Sequence, residues 1–180
     1  GPATRCIDAG GRLVVPGFND AHQHLLPVGM LMANVNLRPE KIRTLDQLLE
    51  AIRAETQRVP AGEWIVGRGY DDSVLDVERH PTIEELSAAA PNHPVLISRL
   101  CGHVGMANTA ALAIAGLTAE TPAPEGGALE RDTRGTLTGL FKERAKQMLT
   151  RHIPQPTVAD VANYLDRASN FLNSQGYTAI

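Results

Sequence analysis

Two histidines one residue apart, His22 and His24, follow an apolar run, Leu13-Val14-Val15, and a Pro16-Gly17 turn. Side chains two positions apart on a strand point the same way, so a strand ending here would aim both imidazoles at one point. Neutral imidazole is the commonest nitrogen ligand for zinc and similar divalent ions. Two of them on one rigid element fix half of a four-ligand shell. The competing reading is a pair of histidines in an exposed turn. Context weighs against it: a buried Val/Leu strand leaving its sheet just before Asp20 would deliver the pair to the end where α/β folds bind ligands.

Four more residues stand where chemistry is placed in such folds. Asp71 follows the short apolar stretch Trp64 to Tyr70, so it is either a substrate-facing acid at a strand end or, with Asp72, the start of a turn. His103 follows Gly102 beyond the apolar stretch Pro94 to Ser98; it can hold a substrate carboxylate or carbonyl, or be a hydrogen-bonded structural histidine. Lys142 and Glu143 close the apolar run Leu137 to Phe141. A carboxylate there can complete a binuclear site directly, and a lysine can do so once carbamylation turns its amine into an oxygen donor; the alternative is a surface Lys-Glu pair. His80, His93 and His152 sit beside prolines or at a helix end and read as surface residues. Cys6 and Cys101 are far apart and lack a C-x-x-C spacing, which reads as a reduced pair in a cytoplasmic protein, without a role.

The elements that must position these groups are marked locally. Thr44-Leu45-Asp46-Gln47 and Thr82-Ile83-Glu84-Glu85 are capping boxes, the first opening an amphipathic helix through Leu45, Leu48, Leu49 and Ile52. Asn108 caps a helix from Thr109 to Ala115 that Gly116 closes, and the longest helix runs from Pro156 to Gly176 with Val161, Tyr164, Leu165, Ala168, Phe171 and Leu172 on one face. Residues 5 to 11 read as a strand running into the Gly10-Gly11 turn. A hairpin is expected with Ala128-Leu129-Glu130 against Thr136-Leu137-Thr138. Leu25 to Asn36 reads as a loop and short helix, with Met30, Leu31 and Met32 packed in a core. Gly126-Gly127 lacks the Gly-Lys-Ser/Thr of a phosphate loop.

With 180 residues, 43% of them hydrophobic, the chain can bury one good core. A net charge of −3 without a Lys/Arg cluster gives no support to nucleic acid as a partner. No apolar run approaches the roughly 18 residues of a membrane span, and Gly1 to Thr4 does not open a signal peptide.

The stretch Ile7 to His24 resembles the signature with which the metal-dependent amidohydrolase superfamily begins its barrel. Gly67-Arg68-Gly69-Tyr70-Asp71, Pro94 to Arg99, Gly102-His103 with Asn108 to Leu112, and Thr138 to Glu143 resemble amidohydrolase family 3, the branch that includes N-substituted formamide deformylases. The resemblance implies an α/β fold, a partial (β/α)8 TIM barrel of the metal-dependent hydrolase kind with an inserted α/β subdomain and a remnant of a β-sandwich. A complete barrel needs about 250 residues, so this chain would be an incomplete part. The expected division is 1–12 for the sandwich remnant, 13–36 for the first barrel strand and metal-site loop, 37–136 for the inserted subdomain, and 137–180 for a barrel strand, a helix and the start of the next strand.

Function follows from the same likeness. It implies a hydrolase of amide, formamide or cyclic-amide C–N bonds that uses a metal-activated hydroxide. His22, His24 and Glu143 would bind one or two divalent ions, zinc by ligand type, with carbamylated Lys142 as the alternative donor. Asp71 and His103 would bind substrate. The general-base aspartate and two further histidines are expected beyond Ile180, so the isolated chain is expected to be inactive. Expected partners are a small-molecule amide-type substrate and, in the full-length protein, a second copy in a homodimer. The other readings are a non-catalytic metal- or ligand-binding fragment and an inert piece of a barrel.

Overall fold

In the computed structural model, which describes all residues from Gly1 to Ile180, the elements run β1 (Phe18–Asn19), α1 (Leu25–Ala33), β2 (Val35–Asn36), α2 (Leu45–Thr56), β3 (Ile65–Tyr70), α3 (Ile83–Ala89), β4 (Val95–Arg99) and β5 (Val104–Ala107). They continue α4 (Thr109–Ile114), β6 (Gly127–Arg131), β7 (Leu137–Glu143), a 3-10 turn (Arg144–Lys146), α5 (Gln147–Thr150), α6 (Val158–Ser174) and β8 (Tyr177–Ala179). Threonine hydroxyls start three of the helices. Thr44, Thr82 and Thr157 each accept the backbone N–H three residues on, and Gln47, Glu85 and Asp160 reach back to close the box. Each such cap is worth about 1 kcal/mol against alanine.

Six strands form a mixed sheet in the order β2-β3-β4-β5-β7-β6. β2, β3 and β4 are parallel; β5 turns back on β4, and the β6–β7 hairpin is antiparallel beside it. Alternation along the strands splits the core into two layers. Ile97 and Leu140 face a layer with Tyr70 and the buried leucines of α2 and α3, while Leu96 and Phe141 face a layer with Leu112 of α4 and Leu149 of α5. At about 1.5–3 kcal/mol per buried large side chain, these two layers are the main stabilising term. A hairpin forms around the expected turn, which Gly135 permits at φ +84° and the Asp132 carboxylate closes by accepting the Thr136 N–H at 2.8 Å, but a register shift between Leu129 and Arg131 sets Ala128 and Leu129 against Lys142 and Phe141 and not against Thr136 to Thr138.

β5 has no sequence cue, because Val104-Gly105-Met106-Ala107 carries a central glycine and runs straight into the α4 cap. Its place is fixed by Asn108, which is 1% exposed. The Asn108 Oδ1 accepts N–H groups from Val95 (2.9 Å) and Ala111 (3.0 Å), and Nδ2 donates to the carbonyl of His93 (2.8 Å). One carboxamide thus ties the start of β4, the cap of α4 and the turn between α3 and β4. His93 itself is buried, not a surface residue, with Nδ1 on the Glu63 carbonyl side at 3.2 Å.

The remaining elements form a second unit. β1 lies parallel to β8, and α1 packs along α6. Gly29 is the contact point: a Cβ there would stand 2.0 Å from the Tyr164 carbonyl oxygen. The buried strand expected over Leu13 to Val15 is absent, and so is one over residues 5 to 8. Leu13 is 88% exposed. No neighbouring strand pairs with these residues, so their backbone has no ladder to join, and apolar composition alone does not make a strand. Met30, Leu31 and Met32 are likewise exposed, not core, because α1 turns Gly29 toward α6. The six-stranded sheet also crosses the boundary expected at 136/137: β7 is an inner strand of it, held there by β5 and β6. No helix is long and apolar enough to cross a membrane.

Because Asn108 satisfies three buried backbone groups, Asn108→Ala is expected to lower unfolding stability by about 3 kcal/mol, with Asn108→Asp in between, in urea denaturation.

Candidate functional site

β1 ends at Asn19, so strand alternation does not bring the two histidines together; the following turn does. Asp20 Oδ1 accepts the His22 N–H (3.1 Å), and Gln23 Oε1 accepts that of His24 (2.8 Å). His24 is the N-cap of α1: its carbonyl accepts the Val28 N–H at 3.1 Å while its ring makes no capping bond. Both rings are therefore free to converge, and the two Nε2 atoms stand 3.2 Å apart. Two nitrogens bound to one tetrahedral zinc at about 2.0–2.1 Å stand about 3.3 Å apart, so the pair fits one divalent ion.

The other candidates lie on the six-stranded sheet, at the end formed by the carboxyl termini of β3, β4 and β7. There the Arg99 guanidinium pairs with both Asp71 (2.9 Å) and Asp72. Asp71 Oδ1 also accepts from the Ser73 N–H (3.2 Å) and hydroxyl (2.8 Å), so Asp71 does open a turn, while its Oδ2 carries no bond. Burial opposes ionisation of Asp72, but the Arg99 hydrogen bond, a backbone hydrogen bond and the nearby His80 and Arg99 charges together outweigh it and hold this carboxyl below its usual range. Behind it the fully buried Tyr70 hydroxyl meets His80 Nδ1 at 3.1 Å. Burial pushes the tyrosine's pKa up and that of His80 down, the nearby Asp72 carboxylate only partly offsetting the latter. Arg99 and His80 carry no spacing signal that links them to Asp71 and Asp72; only the fold brings them together.

Glu143 stands at the end of β7 with φ +53° and ψ −127°, a conformation natural to glycine and strained by about 1–3 kcal/mol for a glutamate. Its N–H donates to the His103 carbonyl (2.8 Å), and its carboxylate pairs with His103 Nδ1 at 2.9 Å. That hydrogen bond raises the imidazole's pKa. Both side chains are open to solvent. Lys142 pairs with Glu130 on the neighbouring strand (3.6 Å). Lys146 reaches back to donate to the Gly102 carbonyl, its pKa lowered by burial and by the nearby Arg68.

The structure thus makes two pairs, His22 with His24 and His103 with Glu143, and no group of three or more potential ligands. Glu143 does not join the paired rings as the sequence leads one to expect. The rings ride on the β1–β8 unit, the acid on the six-stranded sheet, and the nearest base to Glu143 takes it up.

The model of the Amidohydrolase family matches residues 5–180. The chain is 38% identical to the N-substituted formamide deformylase of Arthrobacter pascens, over 82% of this chain and 27% of that protein. It is 30% identical to the putative amidohydrolase YtcJ of Bacillus subtilis, over 93% and 30%. Among solved structures, an uncharacterized metal-dependent hydrolase from Pyrococcus horikoshii superposes with a TM-score of 0.63 at 30% identity, covering 91% of this chain and 30% of that one. The chain therefore spans less than a third of the length of these relatives.

Two outcomes follow from the site's physics. Glu143→Gly relieves the backbone and is expected to raise stability by about 1 kcal/mol in urea denaturation while removing the carboxylate. For His80, the folded pKa lies below the unfolded one, so the unfolded chain binds the extra proton as pH falls through the usual histidine range. The His80 contribution to stability should therefore decline as pH is lowered from about 7.5 to about 5.5, opposite in sign to that of His103, and unfolding curves across the range should show His80→Gln losing less stability than the wild type on acidification.

Proposed function

The chain belongs to the amidohydrolase family, and from that premise we propose that it is one part of a metal-dependent hydrolase cleaving C–N bonds of amide, formamide or cyclic-amide type. The observation that carries the reading is the convergence of the His22 and His24 Nε2 atoms at 3.2 Å. Similarity to a formamide deformylase supports a small neutral amide as substrate.

In this reading β1 and β8 are parallel staves of a (β/α)8 barrel whose other staves lie outside these residues, with the six-stranded sheet as the inserted subdomain. Residues 1–12 belong to a β-sandwich. His22 and His24 would hold one divalent ion, zinc by ligand type, and Glu143, held by His103 apart from the rings, would supply an oxygen donor to a second. Bound there, the ion would polarise the amide carbonyl and bring the pKa of a water toward about 7.

The chain's own side chains have distinct tasks. His103 orients the Glu143 carboxylate through Nδ1 and keeps Nε2 for a substrate oxygen. Asp71, clamped through Oδ1, offers Oδ2 to a substrate N–H. A proton acceptor for such a water would have to be an aspartate from outside these residues, and without it the isolated chain would not turn over amides. A second reading, a non-catalytic metal-binding fragment, is favoured by the absence of a third donor beside the rings.

The test is hydrolysis of a panel of N-alkyl formamides by the complete protein. His103→Ala is expected to slow it about 10–100-fold, and His22→Ala, Glu143→Gln or chelation of the metal to slow it further. Undiminished turnover in a His22→Ala/His24→Ala double variant overturns the proposal. Bound metal without hydrolysis of any amide selects the second reading.

A further inference from the structure

Between α1, β2, β3 and α6 lies an open cleft of about 600 Å³ whose charged lining is entirely cationic: Arg38, Lys41 and Arg68. Across a chain of net charge −3 this is a local reversal of sign. Nine ion pairs form in the structure, and none of them includes these three residues. Asn34 and Asn36 add amide donors on the same rim.

The facing wall is apolar. Leu31 and Met32 of α1 and Phe171 of α6 line it, 40%, 44% and 45% exposed. Three cations lining one cleft with no acid among its lining favour an anion there, and exposed apolar side chains gain free energy when a ligand covers them. A ligand satisfying both walls has an apolar body and one acidic end. Inorganic phosphate would leave the apolar wall wet, and a neutral hydrocarbon would leave the cations unpaired.

We propose that this cleft is a binding site for a small amphipathic carboxylate, its acid end held by Arg68 and Lys41 and its chain laid against Leu31, Met32 and Phe171. The place is set by the fold. Val28, which begins the apolar wall, lies one helical turn beyond His24, so the cleft and the paired rings share α1. At its other end the Arg68 guanidinium approaches Gly102, 3.9 Å from where a Cβ on that glycine would stand. The site needs no metal and no turnover, so it stands or falls separately from the hydrolase reading.

Its test is titration of the 180-residue chain with three probes, followed by NMR at the side-chain amides of Asn34 and Asn36. Hexanoate carries both features, hexanamide has the chain without the charge, and acetate has the charge without the chain. Hexanoate is expected to bind saturably, at least about tenfold more tightly than either of the others, and to weaken with added salt. Arg68→Gln/Lys41→Gln should abolish the preference over hexanamide, Leu31→Ser the preference over acetate, and Arg68→Lys/Lys41→Arg should keep both. Binding of hexanoate no tighter than hexanamide or acetate, the absence of saturable shifts at Asn34 and Asn36, or an unchanged preference in the glutamine variant overturns the proposal. In the complete protein, competitive inhibition of amide hydrolysis by hexanoate assigns the carboxylate to the substrate or product, and non-competitive inhibition assigns it to a separate ligand.

Discussion

No side chain can stand at position 29. The backbone of α1 meets the Tyr164 carbonyl there so closely that even a methyl group would overlap it. That contact fixes α1 against α6, and α6 leads through a tight turn at Gly176 into β8, the parallel neighbour of β1. The paired histidines sit between β1 and α1. Their convergence thus depends on a closed circuit: strand, turn, helix, helix and strand, drawn together by one missing Cβ. An imidazole at a helix cap has its backbone fixed by the helix and its ring left free, which suits a ligand that must be rigid at its root and open at its tip.

The larger sheet does a different job. It brings to one end acids and bases that the sequence scatters over about half the chain, and there it sorts them by charge. One guanidinium pairs with two adjacent aspartates, and every hydrogen bond to Asp71 falls on Oδ1. Burial beside Tyr70, whose hydroxyl is hydrogen-bonded to its Nδ1, pushes the pKa of His80 down. Glu143 is the exception, solvent-facing and held in a backbone conformation that glutamate disfavours. The hydrophobic layers on both faces of the sheet over-determine the path of β7 and so sustain that strain.

Charge also divides the surface around α1. The paired rings stand at the start of α1, and farther along it lies a cleft rimmed by cations and walled in part by Leu31 and Met32, which a reading of composition places in the core. Met30, Leu31 and Met32 are apolar for a reason that burial within these residues does not supply.

What the sequence by itself determined is whatever a few neighbouring residues decide. The capping boxes at Thr44 and Thr82, the Asn108 cap and the turn of the hairpin act over three or four positions, and each stands where the sequence puts it. Tertiary structure alone decided which strand lies beside which, that Val104 to Ala107 is a strand at all, that Leu13 to Val15 is not, and that Glu143 meets His103 and not the paired rings. A strand is made by partners distant in sequence, and an ion pair goes to whichever opposite charge the packed sheet brings within reach. Neither choice is written in the residues that make it.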